Sequence, residues 1–132
     1  MINLFILDDD PVFHRLIELS LSRSSPFKGV YHYYEAQTLL NYIVTNKDDH
    51  SNLPDVILVD IKMPLLDGWG FMDALQRVHR MLSKSIWVYV VTVSVIKDDK
   101  IRAFSYPFVK DFIVKPIVTL QLTEIARSFQ SV

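Results

Sequence analysis

The chain has 132 residues, half of them apolar and 22% charged, which suits a single domain that buries roughly two-thirds of its unfolded surface. Aromatic residues make up 12%, which excludes bulk disorder, and 14 basic against 15 acidic side chains leave a net charge of −1, with no electrostatic case for nucleic acid or an anionic membrane. The lack of cysteine excludes a disulfide framework and the common zinc ribbons and fingers.

The opening run, Met1-Ile2-Asn3-Leu4-Phe5-Ile6-Leu7, has no basic head and leads into three aspartates, so Ile2–Leu7 reads as a strand and not as a signal peptide. Asp10-Pro11 supplies the N-cap and first position of a helix whose apolar stripe is Phe13, Leu16, Ile17 and Leu21. Gly29–Tyr34, aromatic and β-branched but amphipathic, reads as an edge strand around which its tyrosines pack. Ala36, Leu39, Leu40, Ile43 and Val44 mark a second helix, and the polar run 46–52 is a loop. Val56–Val59 is the third strand. Asp67-Gly68 turns into a third helix striped by Phe71, Met72, Leu75, Val78 and Leu82, with Trp69 as further packing. Ile86–Val91, with Trp87 in the core, is the fourth strand; the apolar run continues to Ile96 but is broken by Thr92 and Ser94 and falls far short of the ~20 residues of a spanning helix. A short charged helix, Asp98–Ser105, stops before Pro107. Phe112–Val114 is the fifth strand, and Thr119 caps a last helix carrying Leu122, Ile125, Ala126 and Phe129 that ends near Gln130.

Strict alternation of strand and helix with short connections predicts an α/β fold: a parallel sheet, right-handed crossovers and helices on both faces. The runs Ile2–Leu7, Val56–Val59, Ile86–Val91 and Phe112–Val114 are too uniformly apolar for half-exposed strands and read as parallel strands covered on both faces. Ligands of such sheets bind beyond the carboxyl ends of the strands. At those ends stand Asp8, Asp9 and Asp10 after strand one, Asp60 after strand three, Thr92 after strand four, and Lys115-Pro116 after strand five.

Two carboxylates ~5 Å apart repel by about 3 kcal/mol at an effective dielectric of ~20, so clustering Asp8, Asp9 and Asp60 is costly, or raises one pKa, unless a cation occupies the gap. An all-oxygen ligand set suits Mg²⁺, which favours phosphoryl sites. Thr92 can hydrogen-bond a phosphoryl oxygen, Lys115 can neutralise another, and a carboxylate can serve as the nucleophile toward phosphorus.

These residues give the chain a resemblance, over essentially its whole length, to the receiver domain of two-component response regulators. The match rests on Leu7-Asp8-Asp9-Asp10-Pro11, on Val59-Asp60-Ile61-Lys62-Met63-Pro64-Leu65-Leu66-Asp67-Gly68, on Thr92 and on Lys115-Pro116. The resemblance implies a flavodoxin-like (βα)5 three-layer sandwich with strand order 2-1-3-4-5, occupying residues 1–132 as one receiver with no output domain. It implies that Asp60 accepts the phosphoryl group, that Asp8, Asp9, Asp60 and the Lys62 backbone carbonyl hold Mg²⁺, and that Thr92 and Lys115 bind the phosphoryl group. Lys115-Pro116 is then expected to be a cis peptide.

The implied donor is a sensor histidine kinase or a histidine phosphotransfer protein. The implied output is a protein target on the face of the fourth helix, fifth strand and fifth helix, where Phe104, Tyr106 and Phe108 are candidate contacts. The expected switch pairs Thr92 with an inward move of Phe112, which stands where the family usually has Tyr. A homodimer is compatible with the resemblance, as is a cytoplasmic location with no direct nucleic-acid contact and no membrane insertion. Such a domain is a signalling acceptor that assists its own phosphorylation and dephosphorylation, not an enzyme acting on a separate substrate.

Other readings compete. A phosphatase of the haloacid dehalogenase type would need a second acid where this chain has Lys62, and a flavodoxin-like FMN carrier would need a Ser/Thr- and Gly-rich loop where it has Asp8-Asp9-Asp10. A pseudo-receiver docking module keeps the fold without the chemistry; Val93, bulkier than the family's usual Ala or Gly, is the feature pointing that way. Asp10 is read as a helix cap, and His14, His32, His50 and His79, lacking ligand spacing, are assigned to the surface with no metal role.

Overall fold

The structure is a computed structural model and describes residues 2–131. Five strands and five helices alternate: β1 (Ile2–Leu7), α1 (Pro11–Ser20), β2 (Phe27–Tyr33), α2 (Ala36–Thr45), β3 (Val56–Val59), α3 (Gly68–Val78), β4 (Trp87–Thr92), α4 (Lys97–Phe104), β5 (Val109–Val114) and α5 (Thr119–Gln130). A 3-10 turn, His79–Met81, extends α3. The strands form one parallel sheet in the order β2-β1-β3-β4-β5, the expected flavodoxin-like arrangement.

The period-two alternation of each central strand divides the core into two layers. Phe5 and Leu7 of β1, Ile57 and Val59 of β3, and Val88 and Val90 of β4 share one buried cluster with Leu39 and Ile43 of α2 and Phe71 and Leu75 of α3. Leu4, Ile6, Val56, Leu58, Tyr89 and Val91 share the other with Phe13 and Ile17 of α1 and Leu122 and Ile125 of α5. Each such apolar side chain contributes about 1.5–3 kcal/mol on full burial, so this patterning holds the sheet between its helices. No helix among the described residues is long and apolar enough to cross a membrane.

The fifth strand begins at Val109, three residues before the expected Phe112. Lys110 and Asp111 resemble loop residues in sequence, but β5 is an edge strand and both side chains stand exposed. This early start tucks the preceding turn inward and corrects the expectation for two contact residues. Tyr106 and Phe108 are buried at 5% and 4% exposure, whereas Phe104 is exposed. The Tyr106 hydroxyl donates to Asp73 Oδ1 on α3, and its ring stacks with those of Trp69 and Phe108.

The last helix is not capped by Thr119. Val118 is the N-cap residue, and Gln121 Oε1 accepts its N–H at 2.8 Å, leaving Thr119 as the first helical residue. Asp10 is the N-cap of α1, its Oδ1 accepting the Val12 N–H at 2.9 Å with Pro11 behind it.

The histidines also depart from their surface assignment. His14 is buried at 2% exposure, because it lies beside Phe13 and one turn before Ile17 on the inward side of α1. His32 and His79 are half-buried, and His50 is exposed.

Candidate functional site

Backbone hydrogen bonds between parallel strand ends assemble the rim. The Asp8 N–H donates to Tyr33 O at 3.1 Å, Asp60 N–H to Leu7 O at 3.0 Å, and Lys115 N–H to Thr92 O at 2.8 Å. Each bond continues a ladder one step beyond its strand, so side chains far apart in sequence emerge together. Asp8, Asp9 and Asp60 each offer one carboxylate oxygen, and these three atoms lie within 4.8 Å of one another.

Asp8 and Asp60 are buried and Asp9 is exposed. The Lys115 ammonium lies 2.7 Å from Asp8 Oδ2 and 3.3 Å from Asp60 Oδ2, over the ring of Phe13. Burial pushes the Asp8 carboxyl above the usual range, outweighing the lowering by Lys115 and by the Asp10 N–H. For Lys115 the balance is reversed. Burial alone would lower its ammonium, but the hydrogen bonds and charges of Asp8 and Asp60 together raise it.

The donor set fits a hard divalent cation: three carboxylates at short separation, one open to solvent, and one whose charge is costly where it stands. Thr92 ends β4, fully buried, and its Oγ1 accepts the Ser94 N–H at 3.4 Å. Asp60 Oδ1 accepts the Lys62 N–H at 3.1 Å, and the Lys62 side chain is exposed. Phe112 is already buried, in the cluster with Val90, Ala103 and Tyr106. The Lys115-Pro116 peptide is cis. Asp10, committed to its helix, takes no part in the cluster.

Two shallow grooves flank the acids. One of about 380 Å³ runs past Asp9 between Tyr34–Gln37 and Met63–Leu66, and one of about 310 Å³ lies beside Lys115, lined by Phe13, Leu16, Val93 and Pro116. Val93 is 63% exposed on that rim, so its side chain stands in solvent. A wider groove of about 530 Å³ between α2 and α3 lies away from the acids, so volume alone does not mark the site.

Sequence reasoning missed two buried polar residues here. Ser94, two residues beyond Thr92, donates to Asp99 Oδ2 at 2.6 Å and accepts the Ile96 N–H at 3.2 Å, tying the β4–α4 loop to α4. His14 hydrogen-bonds the Asp8 carbonyl at 2.7 Å, and burial holds its ring below the ordinary histidine range. The i, i+3 spacing of His14 and Ile17 is the signal that could have found it.

Fold and rim together define a doubly wound α/β protein that gathers three carboxylates and a lysine at the carboxyl edge of its sheet. The chain belongs to the response regulator receiver domain family, whose sequence model matches residues 4–127. Receiver domains are signalling modules of two-component systems, and they bind Mg²⁺ at an acidic pocket.

Among curated relatives, the probable methanogenesis regulatory protein FilR2 of Methanothrix harundinacea is 29% identical over 63% of this chain and 52% of its own length. The transcriptional regulatory protein PrrA of Mycobacterium tuberculosis is 28% identical over 89% of this chain and 45% of its own. The chain thus spans about half the length of these relatives. In fold it is similar to a two-component response regulator of Cytophaga hutchinsonii (TM-score 0.82, 20% identity, 98% of this chain and 97% of that one). A two-component response regulator from Legionella pneumophila is similar too, with TM-score 0.81 and 21% identity over the whole of both chains.

Proposed function

We propose that this chain is a phosphoryl-accepting receiver in which Asp60 takes a phosphoryl group from a phosphohistidine of a sensor histidine kinase or a histidine phosphotransfer protein. The observation that carries the reading is the meeting of Asp8, Asp9 and Asp60 oxygens within 4.8 Å, with the Lys115 ammonium bonded to two of the three residues. In the transfer, an Asp60 carboxylate oxygen bonds to phosphorus. The bond from phosphorus to the donor imidazole breaks, and its electron pair stays on the nitrogen.

Asp8, Asp9, Asp60 and the Lys62 carbonyl are the groups that would hold Mg²⁺. Bound there, Mg²⁺ supplies charge neutralisation for the phosphoryl oxygens. Lys115 neutralises a further phosphoryl oxygen as a point charge, and the Thr92 hydroxyl donates to another. Once phosphorylated, the site draws Thr92 toward the new oxygens and further favours the inward packing that Phe112 already has over an outward one. The α4–β5–α5 face, with Phe104 exposed on it, then meets a protein target in the cytoplasm.

The test is intact-mass measurement after incubation with Mg²⁺ and acetyl phosphate or a histidine-phosphorylated donor protein. One added PO₃H group, lost in Asp60→Ala and kept in Asp10→Ala, is the expected result. An adduct that survives Asp60→Ala, or none in the unaltered chain, overturns the assignment.

A further inference from the structure

We propose that His14, backed by His32 and Glu18, is a positioning residue for the Asp8–Asp9 acid pair, and that it sets the affinity of that pair for a divalent cation. The inference rests on the cation-holding role proposed above. His14 projects inward from α1 and places Nε2 2.7 Å from the Asp8 carbonyl oxygen. Its Nδ1 lies 2.7 Å from Nδ1 of His32 on β2, and His32 Nε2 bonds Glu18 Oε1 back on α1. The Tyr34 ring covers His14, with centroids 4.2 Å apart.

The direction of this chain of bonds follows from what each end can do. A carbonyl only accepts, so His14 Nε2 must donate; a carboxylate only accepts, so His32 Nε2 must donate as well. With both Nε2 atoms donating, the bond between the two Nδ1 atoms needs one further proton, which gives the pair a single positive charge that the Glu18 carboxylate beside His32 balances. The outer partners therefore fix the orientation of the His14 ring, as supporting hydrogen bonds do for groups that organise metal sites.

The position of the accepting carbonyl is what gives His14 its reach. It belongs to the peptide joining Asp8 to Asp9, the direct backbone link between the two acids. The Asp8 N–H is held by Tyr33 O, and Asp8 Oδ1 accepts the Asp10 N–H at 2.9 Å. Rotation of the Asp8–Asp9 peptide plane is then the freedom left in the segment, and turning it swings Asp9 away from Asp8. His14 holds that plane.

The experiment is calorimetric titration of the full chain with MgCl₂, alongside thermal unfolding with and without the ion. His14→Leu keeps bulk but cannot donate, and Mg²⁺ affinity should fall about tenfold, within the range typical for losing an outer partner of a metal site. His14→Gln can donate to the same carbonyl and should recover most of that loss. His32→Ala, nearer the surface, should weaken affinity by a smaller factor and serves if His14→Leu does not fold. A purely structural role would lower the unfolding temperature while leaving affinity unchanged. That result in His14→Leu or His32→Ala, or failure of His14→Gln to recover affinity lost in His14→Leu, overturns the inference. No Mg²⁺ uptake by the unaltered chain would instead overturn the cation-holding reading beneath it.

Discussion

The Lys115 ammonium reaches Asp8 Oδ2 at 2.7 Å across 107 residues of sequence, closer than its 3.3 Å approach to Asp60. The lysine thus leans on a residue of the acid pair, where it would compete with any cation. Lys115→Ala removes the competitor. Mg²⁺ affinity by calorimetry is expected to hold or rise, while the phosphorylation-dependent change of the α4–β5–α5 surface, followed by amide hydrogen exchange, is lost. Stability without Mg²⁺ should fall by roughly 3 kcal/mol, the cost of leaving buried acids unpaired. Parallel loss of Mg²⁺ binding would remove Lys115 from its assigned role.

Gly68 begins α3 hard against the Asp60 backbone. A Cβ there would stand 2.4 Å from the Asp60 carbonyl oxygen and 2.5 Å from Ile61 Cα, both backbone atoms that cannot swing aside. Gly68→Ala should cost about 1–3 kcal/mol in denaturant unfolding and slow phosphoryl uptake, because relief requires moving the Asp60 backbone. Gly29 is an internal control. Its added Cβ would meet the exposed Tyr31 side chain, which can rotate away, so Gly29→Ala should leave phosphoryl uptake unchanged.

The fold was legible because β1, β3 and β4 are apolar on both faces and the helices between them carry 3.6-residue stripes. The rim was legible because its acids directly follow β1 and β3 and its lysine directly follows β5. Tyr106 and Phe108 were misplaced because a charged edge strand, with Lys110 and Asp111 facing water, looks like a loop in one sequence. His14 was misplaced because histidine reads as a surface residue: its i, i+3 spacing with Ile17 puts it on the inward side of α1, but the partners that satisfy it there, the Asp8 carbonyl and His32, belong to other elements. Thr119 failed as a cap because the side chain of Gln121 took that role from inside the helix.

His79 gives a pH dependence away from the site. Its Nε2 accepts the Ile86 N–H at 3.1 Å, and burial, with a smaller repulsion from Lys110, holds the ring below the ordinary histidine range. The folded chain then disfavours the charged form. This contribution to stability is complete above the unfolded value of about 6.5 and is lost as pH falls through the lower folded value. Unfolding temperature should drop between neutral and mildly acidic pH, and His79→Gln should flatten part of that slope. His14, lowered by burial as well, supplies a contribution of the same sign that the variant retains. An unchanged slope would exclude His79 as a source.

Lys62 bears on how long a phosphoryl group survives. Its backbone N–H is fixed to Asp60 Oδ1 at 3.1 Å, so its exposed side chain starts two residues from the proposed acceptor. A long cation rooted there can lie over the acyl phosphate and keep attacking water from the line opposite the departing Asp60 oxygen. Slow self-hydrolysis is the expected behaviour, followed as loss of the PO₃H adduct after the donor is removed. Lys62→Ala should shorten the half-life several-fold. Because every substitution except proline preserves the N–H that orients Asp60, the change would report on the side chain alone. A half-life of seconds in the unaltered chain, or an unchanged one in Lys62→Ala, would mean that something other than this lysine governs access of water.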